Sequence, residues 1–297
     1  MQFRTRAPAR HVRRRFVTPR RSLRGTVAIV PIVAVFIATA GTVTPERVLT
    51  ARPPLRPHKL TALTLVGLGD SVPAASGCPC TSFVTLLGAR LGRDTGLRVR
   101  TENLGTPGQT SAQLQAALDA GPTAMAVMEA DVVTITIGAN DFDWSSASTG
   151  HCGGANGLMC YQSGLASLRA NLTAVVERIR ALREGRPTAI RLTGYWEIWR
   201  DGRVGREWGA AYMRVGDALT REVNKAIAGV AEAEEVAFVD LYAPFKGAMG
   251  SDDDTALLAP DGNHPSQSGH QLIADALAEW GLAPLLPLPF TSGSSMR

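Results

Sequence analysis

The sequence predicts an α/β domain in which helices cover both faces of a parallel sheet. Two observations predict it: short β-rich runs alternate with longer helical patterns between about Leu60 and Leu282, and the β-rich runs are apolar enough to sit buried in a sheet. The strand candidates, in order, are Ala62–Gly67, Leu97–Asn103, Asp131–Ile137, Ala189–Tyr195 and Ala237–Tyr242. The clearest helix is Tyr161–Arg183, where Leu165, Leu168, Leu172, Val175, Ile179 and Leu182 recur three or four apart as one apolar stripe. Pro265–Trp280 repeats the pattern, with Leu272, Ile273, Leu277 and Trp280 on a face and Gly281 as the stop. No internal repeat of useful period is present.

The chain of 297 residues carries a net charge of +5, but the excess is local. Residues 1–40 hold nine arginines and no acid, so removing them from 31 basic residues leaves 22 against 26 acids, a balance of −4. The remaining domain is mildly acidic, and its charge gives no reason to expect a nucleic-acid partner. The arginine-rich stretch precedes an apolar run, Thr26 to about Ile37, and the small residues Ala38-Thr39-Ala40. That order predicts a secretory signal over 1–40, cleaved near Ala40, with an uncleaved membrane anchor as the alternative. Both the general and the twin-arginine export routes fit. Residues 41–60 are proline-rich and read as a linker, residues 61–282 as the domain, and residues 283–297 as a loose tail.

All four cysteines, Cys78, Cys80, Cys152 and Cys160, follow the predicted cleavage site. An even number in an exported chain predicts disulfides. Cys152 and Cys160 share one glycine-rich loop and could close it locally, leaving a Cys78–Cys80 bridge; the alternative is that the pairs cross between loops. A zinc site is a further alternative, disfavoured by the Cys-x-Cys spacing.

In an open parallel sheet, ligands bind beyond the carboxyl ends of the strands. After the first strand comes Gly69-Asp70-Ser71, whose glycine permits a sharp turn and whose serine can present both its hydroxyl and its N–H. After the second comes Gly108, a position for a bare backbone N–H, ahead of a helix starting near Ser111. After the third comes Gly138-Ala139-Asn140-Asp141, where the Asn140 amide can donate to a developing oxyanion. After the fifth, Asp261-Gly262-Asn263-His264-Pro265 precedes the last helix, with Asp261 three positions before a histidine able to take a serine proton. Each signal alone has a bland reading as a turn, a cap or a surface residue. Their occurrence together, each after a strand, points to a serine nucleophile.

Gly69-Asp70-Ser71, Gly108, Gly138-x-Asn140-Asp141 and Asp261-x-x-His264-Pro265 resemble the four sequence blocks of the SGNH hydrolases, the GDSL family of esterases and lipases. The paired cysteines in the loops after Ser71 and Asn140 are similar to those of secreted actinobacterial members. No Gly-x-Ser-x-Gly occurs, so the nucleophile elbow of ordinary α/β-hydrolases is absent. The resemblance implies a flavodoxin-like three-layer α/β/α sandwich with a mostly parallel five-stranded sheet. It also implies acyl-ester hydrolysis, with Ser71 attacking, His264 as general base and then acid, and Asp261 orienting His264. The oxyanion is expected on the N–H groups of Ser71 and Gly108 and the Asn140 side chain. Asp70 and Asp141 are expected to brace their own turns. No metal or cofactor enters this scheme, and a monomer is expected.

Two other classes are weaker. A metal-dependent phosphoesterase would need an Asp-x-His ahead of Gly69 and an acidic residue in place of Pro265. A non-catalytic module would not need Ser71, Asp261 and His264 together. The substrate is expected to be a small-molecule or lipid acyl ester, with acetylated carbohydrate as the alternative. Tyr195, Trp196, Trp199 and Trp208 are aromatic enough to line a substrate pocket, or they pack at its rim.

Overall fold

A computed structural model of the chain describes residues 60–143, 152 and 157–285. The expected signal over 1–40, all but Leu60 of the linker, and the tail beyond residue 285 lie outside the described residues. Within them, strands β1 (Ala62–Gly69), β2 (Arg98–Gly105), β3 (Val132–Thr136), β4 (Ala189–Thr193) and β5 (Ala237–Val239) form one sheet in the order β2-β1-β3-β4-β5. Every neighbouring pair is parallel.

The helices are α1 (Phe83–Thr95), α2 (Ser111–Ala117), α3 (Gly121–Met128), α4 (Gln162–Arg183), α5 (Gly202–Glu207), α6 (Ala210–Ala233), α7 (Tyr242–Lys246) and α8 (Gln267–Ala278). They pack as two groups, α1 with α8, and α4 with α2, α3 and α6. Right-handed crossovers account for this division. The chain moves outward from β1 to β2 in one direction, then returns past β1 to β3, β4 and β5 in the other, so successive crossovers fall on opposite faces. The reversal occurs between β1 and β3, where a crevice opens beyond the strand ends.

Caps set the helix limits near the crevice. The Ser82 side chain accepts from Val84 N–H to start α1, and Gly96, at φ 70°, ends it in the left-handed region. Thr110 and Gln113 form a reciprocal capping box at α2. Ser266 caps α8 by accepting from Gly269 N–H.

Three expectations about the elements need correction. Residues of β2 are exposed or half-buried throughout, because β2 is an edge strand with one neighbour and carries Arg98, Arg100 and Glu102. Trp280 is 47% exposed and off the apolar face of the last helix, which ends at Ala278. β4 stops at Thr193 and β5 at Val239, whereas β1 and β2 stay paired to Gly69 and Gly105. Leu285 also packs against the core. The cysteines pair locally, Cys78 with Cys80 and Cys152 with Cys160.

Candidate active site

The end of β1 is held from both sides. Thr106 N–H donates to Gly69 O at 2.8 Å from the β2 side, and Asp70 N–H donates to Thr136 O at 3.0 Å from the β3 side. Gly69 has φ 127°, and a Cβ there would fall 1.9 Å from Thr136 O, so only glycine can bring the chain through this gap. Ser71 follows at once, half-buried, in a turn closed by Ser76 N–H donating to Ser71 O at 3.0 Å.

Asp70 points inward. Its carboxylate accepts from Val72 N–H at 2.9 Å, as expected of a turn brace, and also from the Tyr195 hydroxyl across the sheet. Burial pushes its carboxyl up to about 6, against the lowering effect of those bonds. The Tyr195 hydroxyl in turn accepts from Ala139 N–H at 3.4 Å, next to Asn140. Tyr195 and Trp196 are therefore core residues, each 1% exposed, and do not line the crevice.

The second and third strands are tied to this turn. Asn103 donates to Pro73 O at 2.6 Å and to Ser82 Oγ at 3.1 Å, fastening the end of β2 to the segment after Ser71. Gly105 lies so close to that segment that a Cβ would meet Ala74 N at 2.5 Å. Gly108, by contrast, is exposed with φ 77° and open space around it. Asn140 Nδ2 donates to Gln109 O at 3.0 Å, which uses one of its two amide hydrogens and sets the side chain beside the Gly108 loop. Asp141 does not brace its own turn. It accepts from Ser111 N–H at 3.0 Å and from Ser111 Oγ at 2.5 Å, while Asn171 donates to Ser111 Oγ, so the third block is anchored to α2 and α4.

His264 Nδ1 lies 2.6 Å from Asp261 Oδ2. Asp261 Oδ1 accepts from Asn263 N–H at 3.0 Å and His264 N–H at 3.1 Å, a turn that orients the carboxylate. Burial alone would raise the Asp261 carboxyl, but the hydrogen bonds from His264 and the two backbone amides outweigh it and hold it below its ordinary value. An ionised carboxylate only accepts, so Nδ1 is the donor in this contact, and in the neutral imidazole that tautomer leaves the lone pair on Nε2. The pair is brought to the β1 turn directly: a Cβ on Gly77 would lie 2.7 Å from Asp261 Oδ2 and 3.0 Å from His264 Nδ1. Cys78 Sγ also lies 3.4 Å from Pro265 O.

Beside Asn140 a cavity of about 400 Å³ opens, walled by Phe142, Trp199, Trp208 and Tyr212 and reaching Asn263. Trp199 and Tyr212 stack with ring centres 5.8 Å apart, and Trp208 packs on Tyr212 at 5.2 Å. Of the four aromatics singled out in the sequence, Trp199 and Trp208 line this space. Tyr212, Asn103 and Gly77 were not legible as site residues, because nothing local in the sequence links them to Ser71. Among the described residues no group of histidine, cysteine or acidic side chains is arranged to hold a metal ion.

The model of the GDSL-like lipase/acylhydrolase family matches residues 68–272. Solved structures with similar folds include a lipase from a goat rumen metagenome, with TM-score 0.59 and 20% identity over 75% of this chain and 100% of that one. A lipase/acylhydrolase from Enterococcus faecalis has TM-score 0.52 and 20% identity over 76% and 99%. A catalytic mutant of an acetylxylan esterase from Geobacillus stearothermophilus has TM-score 0.51 and 21% identity over 73% and 93%. No curated protein sequence matches the chain.

Proposed function

Since the chain belongs to the GDSL-like lipase/acylhydrolase family, whose members hydrolyse esters, we propose that it does so through a Ser71–His264–Asp261 triad and an acyl-enzyme intermediate. The observation that chiefly supports this reading is the 2.6 Å contact between His264 Nδ1 and Asp261 Oδ2, packed against the turn that carries Ser71.

Serine is a weak nucleophile until a base takes its proton. In this reading His264 Nε2 takes the Ser71 hydroxyl proton as Oγ bonds to the ester carbonyl carbon. The carbonyl oxygen becomes an oxyanion held by the N–H groups of Ser71 and Gly108 and by Asn140 Nδ2. The oxyanion collapses, the carbon–alkoxide bond breaks, and His264 returns the proton to the leaving alcohol. Water, deprotonated by His264, then attacks the acyl carbon, the bond to Ser71 Oγ breaks, and His264 returns the proton to Oγ as the acid leaves. Asp261 stays ionised and stabilises the imidazolium.

The cavity beside Asn140 supplies the binding room. Its aromatic walls suit an acyl chain or the face of a sugar, so a lipid or short acyl ester is the first substrate class and an acetylated carbohydrate the second. Two local disulfides favour export, and no helix among the described residues is long and apolar enough to cross a membrane.

The experiment is turnover of p-nitrophenyl esters of increasing acyl length, beside acetylxylan, by the wild-type protein and Ser71→Ala with EDTA present. Loss of all turnover in Ser71→Ala and none to EDTA is expected. Unchanged turnover in Ser71→Ala would overturn the nucleophile, and the chain-length profile decides between the substrate classes.

A further inference from the structure

A second cavity, of about 630 Å³, lies at the opposite end of the strands from Ser71. The catalytic loops follow the carboxyl ends of the strands, whereas this space is walled by the first residues of β4 and β5, the end of α4 and the segment after α8. Four arginines line it, Arg180, Arg183, Arg186 and Arg191, against one acid, Glu235.

Three of these arginines are matched. Arg180 Nη1 lies 2.7 Å from Glu234 Oε2. Arg183 donates to Met128 O at 2.6 Å and to Thr188 Oγ1 at 2.8 Å, with Asp131 at 3.6 Å. Arg186 donates to Met128 O at 2.7 Å and to Arg183 O at 3.0 Å.

Arg191 is different. It sits within β4, 2% exposed, and donates through Nη2 to Gly281 O, while its Nη1 has no hydrogen-bond partner among the described residues. Burial draws its guanidinium down to about 10, and no carboxylate acts against that. It stays charged at neutral pH nonetheless, so one arm of a buried cation is left unpaired in the wall of a basic cavity. A guanidinium offers two parallel donors to an oxyanion, the geometry that makes arginine the preferred residue for carboxylate and phosphate. Apart from Thr188, the rest of the wall is apolar, with Trp280, half-exposed at the rim, beside Pro284, Val236 and Ile190.

We propose that this cavity is a binding site for an amphiphilic anion, its carboxylate or phosphate head on Arg191 and Arg186 and its apolar body against Trp280 and Pro284. The site is separate from the catalytic crevice and does not rest on the ester-hydrolysis reading.

The test uses the purified full chain, titrated calorimetrically and by thermal unfolding with phenyl phosphate and with octanoate. Phenol and octanol serve as uncharged controls, and inorganic phosphate as the head alone. At a hundredfold excess over its dissociation constant, a bound anion should raise the unfolding midpoint by about 5 °C. The uncharged controls should not, and inorganic phosphate should bind more weakly than phenyl phosphate. Arg186→Gln should weaken binding by about tenfold or more while leaving p-nitrophenyl acetate turnover unchanged, and Arg191→Met should abolish binding. Should Arg191→Met fail to fold, Arg186→Gln and Arg180→Gln carry the test. Absence of saturable binding at millimolar phenyl phosphate and octanoate, or equal binding by Arg186→Gln, would overturn the site. Equal binding by inorganic phosphate would overturn the apolar half of the proposal. The two carboxylate and phosphate arms identify the preferred head.

Discussion

The backbone N–H of Asp201 donates to Gly262 O at 2.7 Å, in the turn between Asp261 and His264. The Asp201 side chain is meanwhile held 2.5 Å from Lys246 Nζ, inside the protein. Lys246 is 5% exposed and also faces Glu197 and Asp217, so one buried cation serves several acids behind the histidine turn. Removing it leaves Asp201 and Glu197 without their counter-charge, whereas Asp217 keeps Arg221 at 3.0 Å. Lys246→Met should destabilise the fold by about 3–5 kcal/mol, read from urea unfolding, whereas an unchanged midpoint would show that the cluster holds nothing in place.

Gly77 tests the same histidine from the other side. A Cβ there meets Asp261 Oδ2 and His264 at 3.0 Å or less, so Gly77→Ala must displace the pair or strain its own φ of 83°. We expect kcat to fall about tenfold or more with KM little changed. A shift in the His264 Nδ1 proton resonance separates displacement of the pair from general loss of fold.

Asp261→Asn removes the acceptor that fixes the proton on Nδ1. By the logic of the serine triad, kcat should fall by about 10³-fold or more while the unfolding midpoint stays near wild type. A drop of less than tenfold would show that His264 does not depend on this partner.

If Asn140 is the oxyanion donor proposed above, Asn140→Ala should lower kcat by about 10²–10³-fold with KM nearly constant, since such a donor acts in the transition state. The variant also loses the bond to Gln109 O, so its thermal midpoint must be measured beside turnover.

Asp70 makes a pH prediction. Its carboxyl is raised by burial from 3.8 to about 6, so between those values the folded protein holds a proton that the unfolded chain has lost. The contribution of this group to stability is full below the lower value and is lost as pH rises through the higher one. Wild-type stability relative to Asp70→Asn should therefore fall between about pH 4 and pH 6 and then level off, as urea midpoints at each pH will show. A flat difference would mean that Asp70 is ionised throughout.

Much of the candidate site was legible because the relevant signals are local. Gly69-Asp70-Ser71 and Asn140 follow strand ends, where an α/β crevice gathers its chemistry, and Asp261-x-x-His264 comes after β5 and α7, just ahead of α8. The apolar stripe of α4 was equally plain, with Leu165, Leu168, Leu172, Val175 and Ile179 all buried. What failed was inference about partners. Asp141 was expected to brace its own turn and instead holds Ser111, and Tyr195 looked like a pocket aromatic although it binds Asp70.

The sequence by itself determined the alternation of strand and helix, the chemical types at the crevice, and a glycine able to turn the chain sharply after β1. These follow from periodicity, side-chain chemistry and backbone permission, all written within a few residues. Only the tertiary structure decided which residues meet. Tyr195 reaches Asp70 across 125 positions, Asn103 reaches Pro73 across 30, and Arg191 is enclosed by a wall running from Arg180 to Pro284. Such contacts arise when separate elements pack, and their partners are chosen by the sheet order and the crossovers.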